Sequence, residues 1–424
     1  MDPAPARSLA PAQQHCAVQA LPDAHLDASK CASGSGGGAA AWAHPWLRLP
    51  RGTGAAVGLA VAMRLALSSM AAWLLSFRPP HATALIHAQY LGQAPLHDRL
   101  LGPWQRFDAF WYLHLAAHGY GPHDGSTVYY PLYPLLIKFA AWPLGGNAML
   151  AALVVSNVCF AGLLVALHGL VAARHGEAAA RRTLLLLCVF PTASFLLGAY
   201  TESLFLLLVV ACFLATERGW PALAGALGVL AALTRVQGIV LALPLLWVAL
   251  QDWRAGGRDL RPWLAAAMPP LGSLLFLLYV RVIVHGGFIT TTFRDHWSMG
   301  VNPPWITLGG FWSALMAHQW RLFSYPTGNW VDLMNLALAL GMLALVVPAR
   351  RLLGTPLWLY ALVTWVVTLA LHQSTARYML TVFPALIALA IWAPGRWTTR
   401  LALLLGAPFM LFVAGEFVLW SFVG

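Results

Sequence analysis

One carboxylate, Asp108, lies in a short stretch that is unusually rich in polar and aromatic side chains, "RFDAFWYLHLAAHGY" at residues 106–120. The 424-residue chain around it is 60% hydrophobic and only 9% charged. The spacing of the stretch predicts a helix over residues 107–118 that stops at Gly119. Asp108 then lies in the first turn, where the helix dipole favours the ionised form that a general base acting on a hydroxyl needs. The structural alternative is that Asp108 caps the helix or pairs with Arg106.

Two histidines, His114 and His118, follow on one face of the same predicted helix. Their i, i+4 spacing is typical of metal ligands, but the glutamate that follows the first His in zinc proteases is missing here. We therefore predict that the two histidines pack at the interface or form hydrogen bonds to a substrate, and that they do not form a metal site. Whether the reaction uses a divalent cation stays open. Trp111 and Leu115 would bury into the membrane interface, which makes this an interfacial helix.

Two arginines, Arg235 and Arg377, lie at boundaries between apolar segments, where an unpaired cation is costly. Such positions favour a binding site or an anionic partner. Guanidinium groups bind phosphate through paired hydrogen bonds, so arginines that converge on one face indicate a phosphate ligand. Glu202 opens an apolar segment, and helix capping is its structural alternative.

Long apolar segments separated by Arg-rich or Pro/Gly-rich connections predict an all-α, polytopic bundle of transmembrane helices. A transmembrane barrel would instead show alternating segments of about ten residues. Residues 1–50, rich in Ala, Pro, Gly and Ser, predict a disordered cytoplasmic tail, and residues 51–424 form the membrane domain. The candidate spans are 54–77, 148–173, 182–200, 203–216, 221–233, 239–250, 263–280, 331–347, 356–371, 378–392 and 401–420.

Arginines in alternate connections set the orientation, because cytoplasmic loops retain Lys and Arg. The net charge of +11 therefore indicates topology rather than nucleic-acid binding. Asp108 and the other candidate site residues fall on the opposite, non-cytoplasmic face. Residues 129–146 are apolar but short and Pro-rich, and they break the alternation. As a re-entrant or interfacial element they leave eleven crossings, and as a full span they make twelve.

Several motifs occur together, in an order and spacing that resemble one known family. They are the aromatic-Asp-Ala-aromatic turn that runs on to "HGY", followed by "YYPLYPLL", "YTESLF", "TRVQG" and "ARYMLTVFP". This set resembles the PIG-V mannosyltransferases, which belong to the GT-C class of integral-membrane glycosyltransferases. The similarity covers residues 54–390.

The resemblance implies a multi-helix bundle whose first external loop holds the catalytic Asp, matched here by Asp108. It also implies a polyprenyl-phosphate sugar donor, typically dolichyl-phosphate mannose, and inversion at the anomeric carbon. Glu202, Arg235, Gly238 and the pair Arg377–Tyr378 match the later family motifs. Eukaryotic members act on the growing glycosylphosphatidylinositol anchor. The external loops of this chain are more compact than those of the eukaryotic members. The resemblance therefore does not identify the glycolipid or glycan that serves as the acceptor.

The expected chemistry agrees with the residues, since a lipid phosphate is a good leaving group and needs no paired general acid. We assign Asp108 as the base, Arg235 and Arg377 as candidate phosphate or donor contacts, and Glu202 as a hydrogen-bond partner of the sugar or acceptor. Further candidates for lining the sugar pocket lie in outer loops: His296, Trp297 and His372. The expected location is a bacterial plasma membrane with the site outside, or the endoplasmic reticulum membrane in a eukaryote.

Two other classes of function remain open. A transporter or flippase of lipid-linked sugars would also use external arginines and aromatic side chains, but it predicts charges deep in several spans and repeat symmetry. Only Arg64 is a clear mid-span charge, and it faces the bundle interior or snorkels to the interface. A catalytically silent scaffold subunit would tolerate loss of Asp108 without loss of activity.

Overall fold

The computed structural model describes residues 52–78, 99–297, 300–317, 330–371 and 374–423, and the predicted N-terminal tail lies outside these ranges. The described residues are helical or irregular. Their α-helices, numbered in chain order, are α1 Thr53–Phe77, α2 Asp108–His118, α3 Leu132–Ala141, α4 Ala148–His175, α5 Glu177–Cys188, α6 Glu202–Glu217, α7 Pro221–Ala232, α8 Ala242–Arg254, α9 Arg261–Val282, α10 Ile289–Trp297, α11 Pro304–Ala317, α12 Trp330–Val346, α13 Arg350–Leu353, α14 Thr355–Leu371, α15 Thr375–Tyr378, α16 Pro384–Trp392, α17 Arg396–Leu401 and α18 Ala407–Val418.

Short 3₁₀ turns interrupt or join these helices at Gly102–Trp104, Ser126–Val128, Trp142–Leu144, Ala193–Leu196, Val236–Leu241, Val347–Ala349 and Met379–Val382. A π-helical turn, Ala402–Gly406, joins α17 to α18. Non-helical backbone is tolerated at membrane depth where it is buried in protein or lines a cavity. Three of the turns, at Ala193–Leu196, Val236–Leu241 and Met379–Val382, lie close in sequence to the candidate residues Glu202, Arg235 and Arg377.

Six helical segments in the described ranges are long and apolar enough to cross a membrane: Thr53–Phe77, Ala148–His175, Val236–Arg254, Arg261–Val282, Trp330–Leu353 and Arg396–Val418. A seventh is the pair Thr375–Val382 and Pro384–Trp392, which is bent by 66°. Leu132–Leu144, Pro221–Ala232 and Thr355–Leu371 are apolar but shorter. The all-α polytopic class is confirmed, whereas fewer segments reach full spanning length than the eleven or twelve that the sequence predicts.

The prediction of a continuous span over 182–200 is wrong. Helix α5 ends at Cys188, and the chain then turns through the 3₁₀ segment Ala193–Leu196. Pro191 explains the break, because proline lacks the N–H that a continuing helix needs and disfavours helical backbone at the preceding residue. The freed carbonyl of Leu197 accepts hydrogen bonds from Arg64 Nη1 (3.0 Å) and Asn157 Nδ2 (3.3 Å). Arg64 therefore faces the bundle interior.

Helix α2 forms where the sequence predicts it, and Gly119 ends it with a φ of 79°. Its buried face, however, packs on protein. Leu115 is buried in the main hydrophobic core together with Tyr112, so the expectation that Leu115 enters the membrane interface is wrong. Helix α3, with its 3₁₀ extension, is about 20 Å long at the rise of an α-helix, which is shorter than a bilayer core of about 30 Å. The interfacial location of α2 and the re-entrant nature of α3 stay predictions.

Arginine-bearing connections gather at one end of the bundle. Arg174 of α4 pairs with Glu217 at the end of α6 (Nη2–Oε1 2.6 Å) and donates to the carbonyl of Leu353 (2.9 Å). Nearer the start of α4, Ser156 donates to the carbonyl of Tyr200 (3.1 Å), just before Glu202. The helical rise between positions 156 and 174 is about 27 Å. The Arg-rich end and the candidate residues are therefore well separated along the bundle, as the alternation of charge predicts.

Candidate active site

Four charged side chains from distant parts of the chain meet in the bundle: Asp108, Glu202, Arg235 and Arg377. Arg377 Nη1 donates to Asp108 Oδ2 (2.7 Å), and Arg235 Nη1 donates to Glu202 Oε1 (2.7 Å). Arg377 Nε lies 3.2 Å from the same Glu202 oxygen, in an orientation that does not form a hydrogen bond. Two carboxylates and two guanidinium groups sum to zero charge, which is what a buried charged cluster needs to be stable.

One cavity separates this charged cluster into two side chains that line it and two that do not, although Arg235, which lines it, is only 7% exposed. Glu202 and Arg377 are almost fully buried, with side chains 1% and 5% exposed, whereas the Asp108 side chain is 23% exposed. Asp108 and Arg235 line a cavity of about 230 Å³, and Glu202 and Arg377 are not among its lining residues. One carboxylate and one guanidinium group therefore line the cavity. Each forms an ion pair with a buried side chain of opposite charge that does not line the cavity: Asp108 with Arg377, and Arg235 with Glu202.

The helices explain these positions. Asp108 is the first residue of α2 and Glu202 the first residue of α6, so both carboxylates lie at the positive ends of helix dipoles. Arg235 is extended (φ −156°, ψ 149°) between α7 and the 3₁₀ turn Val236–Leu241. Arg377 lies in the single turn α15, directly before the bent junction with α16. Asp108 forms its ion pair with Arg377 and not with Arg106, whose guanidinium donates to the carbonyl of Val418.

Aromatic rings surround the charged groups. The guanidinium carbons of Arg235 and Arg377 lie 4.3 and 4.8 Å from the centre of the Tyr378 ring, and Arg377 Nη2 donates to the Tyr378 hydroxyl (3.0 Å). Cation–π contacts of this kind stabilise guanidinium groups most when they are desolvated. Tyr378 also lines the cavity, so it contacts both cations and forms part of the wall that a ligand meets.

Tyr129 holds the second oxygen of the carboxylate. Its hydroxyl donates to Asp108 Oδ1 (3.3 Å), and its ring stacks on Trp111 with centroids 5.6 Å apart. Burial, followed by the negative charge of Asp108, raises the pKa of Tyr129 well above its usual value. The hydroxyl therefore stays protonated and donates to the carboxylate at neutral pH. Tyr129 is not among the site residues predicted from the sequence, although it opens the motif "YYPLYPLL".

The C-terminal segment of the chain contacts the backbone turn just before Asp108. Phe107 has a φ of 47°, which costs a non-glycine residue about 1–3 kcal/mol. Its ring contacts Trp420 and Phe422 edge-on, at centroid distances of 5.5 and 5.4 Å. Arg106 is buried and donates from Nε (3.1 Å) and Nη2 (3.0 Å) to the carbonyl of Val418. The C-terminal segment thus fixes the turn that orients Asp108.

The remaining candidate residues from the sequence either do not line this cavity or lie outside the described residues. His114 stacks on Phe110 and lies 4.9 Å, ring to ring, from the exposed His118. Exposed His296 packs beside Gly125, Trp297 ends α10, and His372 lies outside the described residues. None of these is among the described residues that line the cavity, and their role as ligand contacts stays a prediction. In the ranges that the structure describes, no group of three or more His, Cys, Asp or Glu side chains could hold a metal ion.

Comparison with known proteins agrees with the resemblance seen in the motifs. Residues 70–284, just over half of the chain, match the family described as Mannosyltransferase (PIG-V). The chain is similar to GPI alpha-1,6-mannosyltransferase 2 of Mus musculus, with 30% identity over 201 residues. That alignment covers 45% of this chain and 39% of the mouse protein, so less than half of the relative's length is matched.

Among solved structures, the chain is similar to ArnT from Cupriavidus metallidurans bound to undecaprenyl phosphate. The alignment covers 80% of this chain and 59% of that chain, with 17% sequence identity and a TM-score of 0.48.

Proposed function

Because the chain belongs to the PIG-V mannosyltransferase family, we propose that it transfers a hexose, mannose, from a polyprenyl-phosphate donor to a glycolipid or glycan hydroxyl. One observation carries the proposal: Asp108 and Arg235 face the same cavity. The first is a carboxylate that can accept a proton, and the second is a cation that can bind a phosphate. Transfer of a phosphate-linked sugar needs both groups in one site.

The reaction follows from these two groups. Asp108 accepts the proton of the acceptor hydroxyl while the oxygen of that hydroxyl attacks the anomeric carbon of the donor sugar. A new carbon–oxygen bond therefore forms on the face of the sugar opposite the phosphate. The bond from the anomeric carbon to the phosphate oxygen breaks, and the electron pair leaves with the polyprenyl phosphate. Arg235 stabilises the charge that develops on the departing oxygen. Attack opposite the leaving group inverts the configuration, and no covalent sugar–enzyme intermediate is required.

Glu202 and Arg377 act as positioning residues in this proposal. Both are buried behind the cavity wall, and each contacts a group that faces the ligand. Arg377 holds one oxygen of Asp108, and Tyr129 holds the other, so the carboxylate is oriented before a substrate arrives. This geometry favours an indirect role for Glu202 over the direct sugar contact that the sequence suggested.

The cavity wall also suits a lipid-linked donor. Between the polar groups it is lined by apolar side chains: Val128, Val236, Ile289, Val301 and Leu371. Outward-facing helix surfaces of a membrane protein can accommodate the isoprenoid tail, so that only the phosphate and sugar enter the cavity. The charge pattern supports a site on the non-cytoplasmic face. The acceptor is then an envelope glycolipid or glycan in a bacterium, or a glycosylphosphatidylinositol intermediate in a eukaryote.

The direct test is sugar transfer by the purified full-length protein in lipid vesicles. Synthetic polyprenyl-phosphate mannose with a labelled sugar serves as the donor, and a lipid extract of the host membrane serves as the acceptor pool. We expect a labelled product whose mass identifies the acceptor and whose new glycosidic bond has the inverted configuration. Movement of the donor across the bilayer without any product would support a transporter instead.

Arg235→Lys is expected to weaken donor use while leaving the protein folded. Lysine keeps the positive charge opposite Glu202, but it cannot form the paired hydrogen bonds that guanidinium forms with phosphate. We expect kcat/KM for polyprenyl-phosphate mannose to fall by about tenfold or more. Arg258→Lys, which changes an exposed arginine outside the cavity, is the matched control and should not alter the kinetics. Equal activity of both variants would argue against a phosphate contact at Arg235.

Trp420→Ala is expected to slow transfer although Trp420 does not line the cavity. Loss of its contacts with Phe107 and Arg106 frees the turn that orients Asp108. Small displacements of a catalytic group cost up to about a hundredfold in rate, so kcat should fall while the donor KM changes little. Trp397→Ala, which removes an exposed tryptophan of α17, controls for loss of a large aromatic side chain. A change confined to KM would contradict the positioning role.

A further inference from the structure

Gln237 is a buried polar side chain that faces the cavity. It is only 2% exposed and lies on the cavity wall two residues after Arg235. Among the described residues, no hydrogen bond of its side-chain amide is formed. A ligand that displaces water from this cavity must therefore offer the amide replacement hydrogen bonds, which makes Gln237 a candidate ligand contact.

The backbone fixes this side chain in place. The next residue, Gly238, lies so close to α7 that an added Cβ would come within 2.3 Å of the main-chain nitrogen of Ala232. Only glycine permits this close approach of two backbones. The 3₁₀ turn Val236–Leu241 is therefore pressed against the end of α7, and Gln237 enters the cavity from a rigid segment. A residue held in this way can be selective, because it does not adapt its position to each ligand.

The chemistry of the amide indicates the kind of ligand. A glutamine side chain offers a carbonyl acceptor and an N–H donor in one plane, while each sugar hydroxyl both donates and accepts. Two adjacent ring hydroxyls can therefore satisfy both ends of the amide at once. The rings of Tyr129, Tyr130 and Tyr378 line the same cavity and supply the apolar surface on which a sugar face can rest.

We propose that Gln237 binds the 2-hydroxyl of the transferred hexose together with the adjacent 3-hydroxyl and thereby determines which C2 epimer is accepted. This inference rests on the proposed function, because it concerns the sugar whose phosphate Arg235 binds. The proximity of the two residues in sequence supports it: a sugar attached to a phosphate at Arg235 reaches the neighbouring position on the same wall. A site that hydrogen-bonds a hydroxyl rejects an analogue that lacks it, because the buried polar group is then unpaired.

Gln237→Met tests the inference, since methionine keeps the length and volume of the side chain but cannot form these hydrogen bonds. The kcat/KM values are measured for polyprenyl-phosphate mannose and for its C2 epimer, polyprenyl-phosphate glucose. We expect the value for the preferred donor to fall by about tenfold to a hundredfold. The ratio between the two donors should move towards one, because the discriminating contact is lost.

Gln251→Ala is the matched control, because Gln251 is an exposed glutamine at the far end of the same helical segment, Val236–Arg254. Its donor ratio should equal that of the unaltered protein. Thermal unfolding of each variant is compared, and Gln237→Ala replaces Gln237→Met if the latter does not fold. An equal loss with both donors, or no loss, would overturn the role of Gln237 while leaving the proposed function intact. Absence of transfer by the unaltered protein with either donor would overturn both.

Discussion

Asp108→Asn is expected to lower the rate of sugar transfer by about 10²–10⁴-fold, the range that a positioned general base contributes. Asparagine has nearly the same shape, and its amide oxygen can still accept the hydrogen bond from Arg377, while its NH₂ group then faces the Tyr129 hydroxyl oxygen, which can accept. Asparagine cannot accept the proton of the acceptor hydroxyl. The donor KM should change little, because in the proposed mechanism the donor phosphate is bound by Arg235. The measurement is initial rate against donor concentration in vesicles of defined lipid composition.

The matched control for this variant is Asp124→Asn. Asp124 is exposed in the loop that follows α2, and its carboxylate accepts a hydrogen bond from the Ser126 N–H, which an amide oxygen can replace. Its activity should equal that of the unaltered protein. If Asp108→Asn is as active as Asp124→Asn, the base lies elsewhere, and the scaffold and transporter interpretations gain support.

Glu202→Gln is expected to produce the largest loss of stability. Glu202 is fully buried and contacts both guanidinium groups of the charged cluster. Removal of its charge leaves the cluster with a surplus positive charge in a site that water does not reach. Breaking a buried ion pair in this way costs about 3–5 kcal/mol. The free energy of unfolding, or the unfolding temperature at fixed detergent and lipid content, measures the effect.

A second substitution separates charge balance from side-chain shape. Each of the single variants Glu202→Gln and Arg235→Gln leaves one charge without compensation, whereas the double variant retains the Asp108–Arg377 pair and a neutral cluster. The double variant should therefore be more stable than Glu202→Gln alone, although it should not regain transfer activity, because Arg235 is missing. A double variant that is no more stable than the single one would show that the ion pair is not the source of stability.

Glu177→Gln provides the control for loss of a glutamate charge. Glu177 contacts His168 and Arg181 at the other end of the bundle, but its side chain is 41% exposed. Exposed ion pairs contribute little, because water and salt screen them. We expect little change in unfolding temperature for this variant, in contrast to Glu202→Gln.

Much of the fold could be predicted from the sequence, since apolar runs of helical length are local patterns. The helices around 54–77, 148–173 and 263–280 form close to the predicted boundaries. The failure at 182–200 has a local cause: Pro191 lies within an apolar run, yet a proline prevents the helix from continuing through it. Hydropathy measures how apolar a segment is and does not register where its backbone breaks.

The individual site residues were partly predictable for a similar reason. Glu202, Arg235 and Arg377 attract notice because charge is rare in apolar surroundings and costly to bury. Gln237 and Tyr129 carry no charge, so the same argument passes over them, although both lie inside quoted motifs. The position of Gln237 between Arg235 and a glycine is a sequence feature that could have indicated it. That feature can be interpreted only with the structure, which shows how closely Gly238 packs against α7.

The sequence by itself determined the all-α membrane class, the approximate positions of several long apolar helices and the charged residues able to do chemistry, because composition and period are properties of short segments. Only the tertiary structure decided which of these residues meet. Arg377 and Asp108 are separated by 269 positions, and their contact depends on how broken helices pack and on the direction of each side chain. The same packing divided the charged cluster into two groups that face the cavity and two that hold them from behind.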